Sequence, residues 1–342
     1  PSSVRKERFN QEIIPESVIY QHNGKVFKNG KILENAPYKG STFFINKEIS
    51  SLLSLENGYV IKYDISKDKE RELWRYSVPF WHHKKHVDEA GNIYSPTYFP
   101  NNGDNGKSSK IVKKLEKILE NDNSPPYDIT GDNFRDDGVI VLSPNGKVLH
   151  KIGLTDLFEK NNLLHLVYGS GLETDAFHLN SVSPAKINKG IVKKGDLLLS
   201  LRHQSMLLIY RPSTLEIIWY KVGPWLNQHS AKFDDNGDIY LFDNAVIETH
   251  YARRRETGFI DGQNNILKHV IETNETSKIN ICIDNKDIWT VTEGEVFIGK
   301  ESLYLNFENT HTKVICNKVT GYHTFMLPNH QDNGRVVPDS QY

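Results

Sequence analysis

Imidazole and guanidinium groups gather in four short segments. These are Trp81-His82-His83-Lys84-Lys85-His86, Phe177-His178-Leu179-Asn180-Ser181-Val182, Ser200-Leu201-Arg202-His203-Gln204-Ser205 and Asn227-Gln228-His229-Ser230-Ala231. A neutral imidazole is a nucleophile that can hold a group covalently, and it can pass a proton to or from an oxygen. A guanidinium offers a planar fork of donors that matches an oxyanion. His83 precedes Gly91 by eight residues, and His229 precedes Gly237 by eight. In a repeat architecture equal offsets mean equal places in the repeat, so the two histidines are expected to face one axial pocket. His178 stands 17 residues before Gly195, with an apparent insertion at 186–194, and is a third candidate of the same kind. His82 and His83 are adjacent, so along a strand they face opposite ways and at most one joins such a pocket.

Ordinary structural roles weigh against each histidine taken singly. His86, His150, His165, His269 and His323 read as surface or capping residues. Asn180 could simply cap a turn. Arg202 ends an apolar strand, where it sits either at a wet rim or against an anion, because a buried guanidinium without partners is costly.

The elements that would position these residues are strands. Asn-Gly and Asp/Gly turns open alternating apolar stretches at Gly58, Gly91, Gly146, Gly195 and Gly237, and such pairs supply the positive φ of tight hairpins. Their separations of 33, 55, 49 and 42 residues approximate one four-stranded blade, which predicts an all-β, six-bladed β-propeller over 38–342. Residues 1–37 are less regular and are expected to form an arm or a ring-closing segment. The longest gap has a local cause. Ile111, Leu115 and Leu119 recur at helical spacing, predicting one helical insertion at 107–119. Met206–Tyr210 is apolar throughout, as a strand buried on both faces would be.

Composition narrows the partners. The 342 residues carry a net charge of −1, which gives no basic balance for nucleic acid. Apolar runs are too short to span a bilayer as a helix. The two cysteines, Cys282 and Cys316, either pair in an oxidising compartment or remain buried thiols.

Taken together, in this order, the four histidine and arginine segments and the following Asp243-Asn244 resemble the bacterial arylsulfotransferase family over roughly residues 75–245. The resemblance implies a six-bladed propeller exported to the periplasm, its leader missing from this chain. It implies transfer of a sulfuryl group from a phenolic sulfate ester to a phenolic acceptor, with no nucleotide donor. An arginine among the histidines, with no carboxylate at ligand spacing beside them in the sequence, predicts in addition a pocket without metal, and no cofactor is expected. The resemblance assigns His229 as the residue that becomes a sulfohistidine, His178 and Arg202 as sulfate-binding, and His83 as a further catalytic histidine. Asn180, His82 and His203 are the expected substrate-binding positions. Two other readings stay open. Converging imidazoles also suit a metal-dependent propeller enzyme, which Arg202 disfavours, and a non-catalytic propeller could bind an anion with the same groups.

Overall fold

The computed structural model describes residues 18–22, 25–28, 31–32, 41–45, 51–66, 71–77, 83, 85–99, 136–168, 175–251, 254–260, 262–279, 288–300, 302–310, 312–317, 321–326 and 336–338. The expected helix at 107–119 and His82 lie outside them. The chain is all-β and of the β-propeller class. Among the described residues there are six four-stranded antiparallel sheets, one two-stranded hairpin and two short helices. None of these helices is long and apolar enough to cross a membrane.

The chain divides into two compact units, residues 1–77 with 224–342, and residues 78–223. In the first unit, β1 (Val18–His22), β2 (Lys25–Lys28) and β3 (Lys31–Ile32) form a sheet completed by the C-terminal strand β26 (Val336–Pro338), with Val18 opposite Pro338. The next sheet is the meander β4 (Ser41–Ile45), β5 (Ser51–Glu56), β6 (Tyr59–Asp64) and β7 (Arg71–Ser77).

The second unit holds two such meanders. One is β8 (His86–Val87), β9 (Ile93–Phe99), β10 (Asp136–Leu142) and β11 (Val148–Gly153). The other is β12 (Leu179–Pro184), β13 (Leu197–Leu201), β14 (Met206–Arg211) and β15 (Glu216–Val222). Helices α1 (Leu154–Lys160) and α2 (Leu164–Tyr168) link them. The first unit then continues with β16 (His229–Phe233), β17 (Ile239–Asp243), the hairpin β18 (Val246–Tyr251) and β19 (Arg254–Phe259), β20 (Asn265–Val270) and β21 (Glu275–Lys278). Its last sheet is β22 (Glu295–Ile298), β23 (Ser302–Phe307), β24 (Thr312–Asn317) and β25 (Gly321–Met326).

Burial grades across the blade β12–β15 as stacking requires. In the blade β12–β15, every residue of β12 and β13 is buried and β14 is buried but for Arg211, as the apolar run of Met206–Tyr210 implied, while β15 alternates with solvent. Leu197, Leu199, Leu201, Met206, Leu208 and Tyr210 join Val139, Val141 and Ile152 of the neighbouring blade in one core. In the first unit Phe242, Ile266, Val296, Leu305 and Phe307 form a second core.

The uneven glycine spacing has a topological cause. The turns at Gly91, Gly195 and Gly237 are first hairpins of their blades, whereas Gly58 lies in the second hairpin of its blade and Gly146 in the third. The glycines therefore do not mark one repeat position each, as their use as a ruler supposed. The Gly91 and Gly237 turns are nevertheless alike. Gly91 N bonds Asp88 O and Asp88 N bonds Asn92 O. Gly237 N bonds Asp234 O and Asp234 N bonds Asp238 O. At Gly195 the turn is lengthened by a miniature hairpin in which Lys189 and Val192 bridge, which accounts for the insertion seen at 186–194.

The two helices between β11 and β12 are absent from the sequence reading, because seven and five residues give too little periodicity to read. Their anchor is Asp136 of β10, whose Oδ1 accepts the N–H of Thr155 in the first turn of α1. Gly153, the residue before that helix, supplies no side-chain cap. Burial pushes the Asp136 carboxyl up to about 7, the bonds to Thr155 opposing and Asp156 reinforcing the rise. The folded state therefore keeps a proton that the unfolded chain has released by about pH 4. Asp136 thus costs stability progressively as pH rises from about 4 to about 7. Asp136→Asn keeps an acceptor for Thr155 and carries no charge. It is expected to melt near the parent at pH 4 and to be more stable at pH 8, by an amount on the order of a few kcal/mol. Parallel melting curves at both pH values for parent and variant would contradict this.

Candidate active site

His229 opens β16 and is 3% exposed. Its Nδ1 lies 2.7 Å from Oδ1 of Asn244. The amide orientation of Asn244 follows from its other face, where Nδ2 donates to the carbonyls of Glu293 at 2.9 Å and Thr290 at 3.3 Å. Two carbonyls can receive only N–H groups, so oxygen must face the imidazole. An oxygen acceptor puts the hydrogen of the neutral ring on Nδ1 and leaves the lone pair on Nε2.

A second layer holds this asparagine. Asn264 donates through Nδ2 to the carbonyls of Asn244 at 2.9 Å and Thr290 at 2.7 Å, and accepts Thr290 N–H at 2.8 Å. Asp243 Oδ1 accepts from Leu226 N and Ala245 N, fastening the loop before His229 to the end of β17. Immediately after His229 the register with β17 slips, and Ser230 takes φ 55. Such a bulge turns side chains away from simple alternation, and Ser230 Oγ accepts from Val296 N of β22 at 3.2 Å.

In the unit 78–223 the remaining site residues meet. His83 and His178, 95 residues apart in sequence, approach to 3.0 Å between their Nε2 atoms. Both take left-handed backbone, φ 50 and φ 52, which costs roughly 1–3 kcal/mol each for a side-chain-bearing residue. The rings of His178 and His203 lie 4.8 Å apart. The turn 202–205 clamps the segment 175–178. Arg202 N donates to His178 O at 3.1 Å, His203 Nδ1 to the Asp175 carbonyl at 2.6 Å, and Gln204 Nε2 to the Ala176 carbonyl at 2.5 Å. Phe177 anchors the segment from below, edge-on to Phe158 of α1. Asn180 is the bulged residue of β12, between Leu179 and Ser181 in its pairing with β13, and is buried.

Arg202 is 2% exposed, so a wet rim is not its environment. Burial, then His178, push the His203 imidazole down, with Arg202 acting in the same direction. His203 is therefore neutral near pH 7 and Arg202 is the fixed positive charge beside it.

One ligand atom each from Asp175, His178 and His203 fits within a 4.8 Å circle, a spacing a metal ion could bridge. The Nδ1 atoms of both rings are already committed to oxygen acceptors of Asp175. Of the histidines assigned ordinary roles, His269 is a correction. It is fully buried, its Nδ1 on Thr276 Oγ1 at 2.9 Å and its ring edge-on to Trp225. Asn244 and Asp175 were missed as site residues. Asn244 stood within the recognised Asp243-Asn244 pair, while nothing in the sequence singled out Asp175.

His83 and His178 precede the first strands of their sheets and His229 opens the first strand of its own, while buried Arg202 lies in the turn after β13. The family model described as Arylsulfotransferase (ASST) matches residues 76–298, more than half of the chain, and the chain belongs to that family. No curated protein matches it. Among solved structures it is similar to a protein of unknown function from Bacteroides caccae, with 14% identity and TM-score 0.52 over 95% of this chain and 99% of that one. It is also similar to Kuenenia stuttgartiensis hydrazine synthase, with 10% identity and TM-score 0.50 over 86% and 71%. At such identities the likeness is one of fold.

Gly294 lies between Glu293, which holds Asn244, and β22, with φ 98. A Cβ there would stand 2.6 Å from the ring of Phe242, which pairs with His229 across the sheet. Gly294→Ala is expected to destabilise the protein by roughly 2–4 kcal/mol through backbone strain and overpacking. An unchanged denaturation midpoint would contradict the role given to this glycine.

Proposed function

We propose that the protein is an aryl-sulfate sulfotransferase that moves a sulfuryl group from a phenolic sulfate ester to a phenol through a sulfohistidine at His229. The observation that carries this reading is the Asn244 bond, which leaves Nε2 as the nucleophilic nitrogen of a buried, rigidly held ring. Membership of the arylsulfotransferase family supports the reaction class. In the first half-reaction the Nε2 lone pair attacks sulfur, the sulfur–oxygen bond breaks, and its electron pair leaves with the phenolate. In the second, the acceptor oxygen attacks the same sulfur and the sulfur–nitrogen bond breaks, returning the pair to Nε2. Covalent storage replaces one difficult displacement by two easier ones.

The resemblance also implies roles for residues of the unit 78–223. Arg202 and His178 would bind the sulfate oxygens, Asn180 and His203 would contribute to the substrate site, and His83 would handle the proton. A guanidinium that is charged at every working pH suits an anion whose own charge spreads over its oxygens in transfer. Disulfide-bonded Cys316 supports an exported, oxidising location such as the periplasm.

Mixing the protein with 4-nitrophenyl sulfate is expected to release one equivalent of nitrophenol in a burst and to add the mass of a sulfuryl group to His229. His229→Ala abolishes the burst. Arg202→Ala slows it by roughly 10²–10³, the usual cost of one preorganised donor. The burst is expected to survive chelator treatment. A burst in His229→Ala places the nucleophile elsewhere, and loss of activity with removal of a stoichiometric transition metal favours the metal-dependent alternative.

A further inference from the structure

The insertion at 186–194 has no part in the reaction described above. It fills the loop between β12 and β13, and its backbone is tied at several points. Ala185 N donates to Asp196 O at 2.8 Å and Gly195 N to Ala185 O at 2.9 Å. Nearer the tip, Lys189 and Val192 exchange both backbone bonds, at 2.9 and 3.0 Å, around Gly190 and Ile191. Gly190 takes φ 55, the left-handed conformation that such a tight turn needs. Asn188 Oδ1 accepts Lys194 N–H at 2.8 Å, and Asp196 Oδ2 accepts Lys193 N–H at 2.7 Å. Arg211 of β14 braces the loop from the side. Its Nε and Nη2 bind Asp196 at 3.0 and 2.9 Å, and Nη2 also donates to the Ile191 carbonyl at 3.3 Å.

This tied finger displays apolar side chains where a turn ordinarily carries glycine or small polar residues. Ile191, at its tip, is 53% exposed and Ile187 is 39% exposed, while Val192 is buried and anchors the loop. Around the isoleucines stand Lys186, Lys189, Lys193 and Lys194, the last two exposed. Asp196 is the only acidic residue from 185 to 196, and it is bound to Arg211. Four lysines thus collect within 186–194 of a chain whose 42 basic and 43 acidic residues nearly cancel. An exposed isoleucine alone is commonplace. Apolar side chains ringed by lysines and held out on a braced loop fit a surface that is anionic outside and apolar just beneath. A bilayer of acidic lipids is such a surface. A soluble polyanion would meet the lysines and leave the isoleucines in water.

We propose that the loop 186–194 is a docking finger that seats the protein on an anionic lipid surface. Its lysines meet the phosphate headgroups, and Ile187 and Ile191 enter the boundary between headgroups and acyl chains. The placement suits the candidate site. His178 stands at one end of β12 and the finger at the other, about 20 Å apart over six residues. A docked finger therefore leaves His178 and Arg202 at the end of the blade away from the lipid. Docking of this kind is independent of the sulfuryl-transfer reading.

The test is flotation of the full chain with phosphatidylcholine vesicles, with and without phosphatidylglycerol, at low and high salt. The parent is expected to float with the phosphatidylglycerol vesicles, to be loosened from them by high salt, and to stay behind with phosphatidylcholine alone. Lys193→Gln together with Lys194→Gln is expected to weaken the partition about thirtyfold. Ile191→Ser is expected to weaken it about tenfold while keeping the salt dependence. All three positions are exposed, so these variants are expected to melt with the parent. Equal flotation with phosphatidylcholine alone, no flotation with either vesicle, or variants that float like the parent overturns the proposal. A parent that ignores vesicles and is held by dextran sulfate, with Ile191→Ser held equally, overturns it too, because the partner is then a soluble polyanion.

Discussion

An oxygen that can only accept decides where an imidazole keeps its hydrogen, and three site histidines obey that constraint in the same sense. His229 turns Nδ1 to Asn244, His178 turns Nδ1 to the Asp175 carboxylate, and His203 turns Nδ1 to the Asp175 carbonyl. In each neutral ring the nucleophilic or accepting nitrogen is therefore Nε2. The partners are themselves held. Asn244 is fixed by two carbonyls and Asn264, and the Asp175 segment by the turn 202–205. A ring so fixed loses no rotamer freedom when it reacts, and freedom lost beforehand is what preorganisation means in such sites.

That order is imposed against local backbone preference. His83, His178 and Ser230 adopt positive φ, and bulges interrupt β12 and β16 next to the site histidines. Each departure is unfavourable by roughly 1–3 kcal/mol in isolation. Rigid surroundings keep each in place: in the unit 78–223 Phe177, Leu179 and Leu201 are fully buried, and in the other unit Phe242, which pairs with His229, is fully buried. Bulges and strained residues at strand starts turn side chains that strict alternation would send into the blade interior.

Buried carboxylates of β10 serve the same end. Asp136 caps α1 and Asp137 receives the first N–H of β12. Desolvation pushes both carboxyls above the usual range, making them weaker acids. The hydrogen bonds they provide join elements that are distant in sequence, and an apolar residue at either place would leave buried N–H groups unmet.

The amino-acid sequence by itself determined the fold class and the chemistry-bearing residue types. Hairpin glycines with alternating apolar runs are short-range signals, and the His178, Arg202 and His229 motifs each lie within a few residues of chain. The equal offsets of His83 and His229 from Gly91 and Gly237 also reflect matching first hairpins, as the bonds of both turns agree. Tertiary structure alone decided the rest. The His83–His178 contact spans 95 residues, Asn244 reaches Glu293 across 49, and Asp137 reaches Leu179 across 42. No local pattern encodes a hydrogen bond between such positions, because the partners become neighbours only after the blades have packed. The same reason hid α1 and α2, whose residues are helical because Leu154, Leu157 and Phe158 have a core to cover. Which nitrogen of each histidine carries the hydrogen is likewise a property of its folded surroundings, since an imidazole in the unfolded chain exchanges its hydrogen between both.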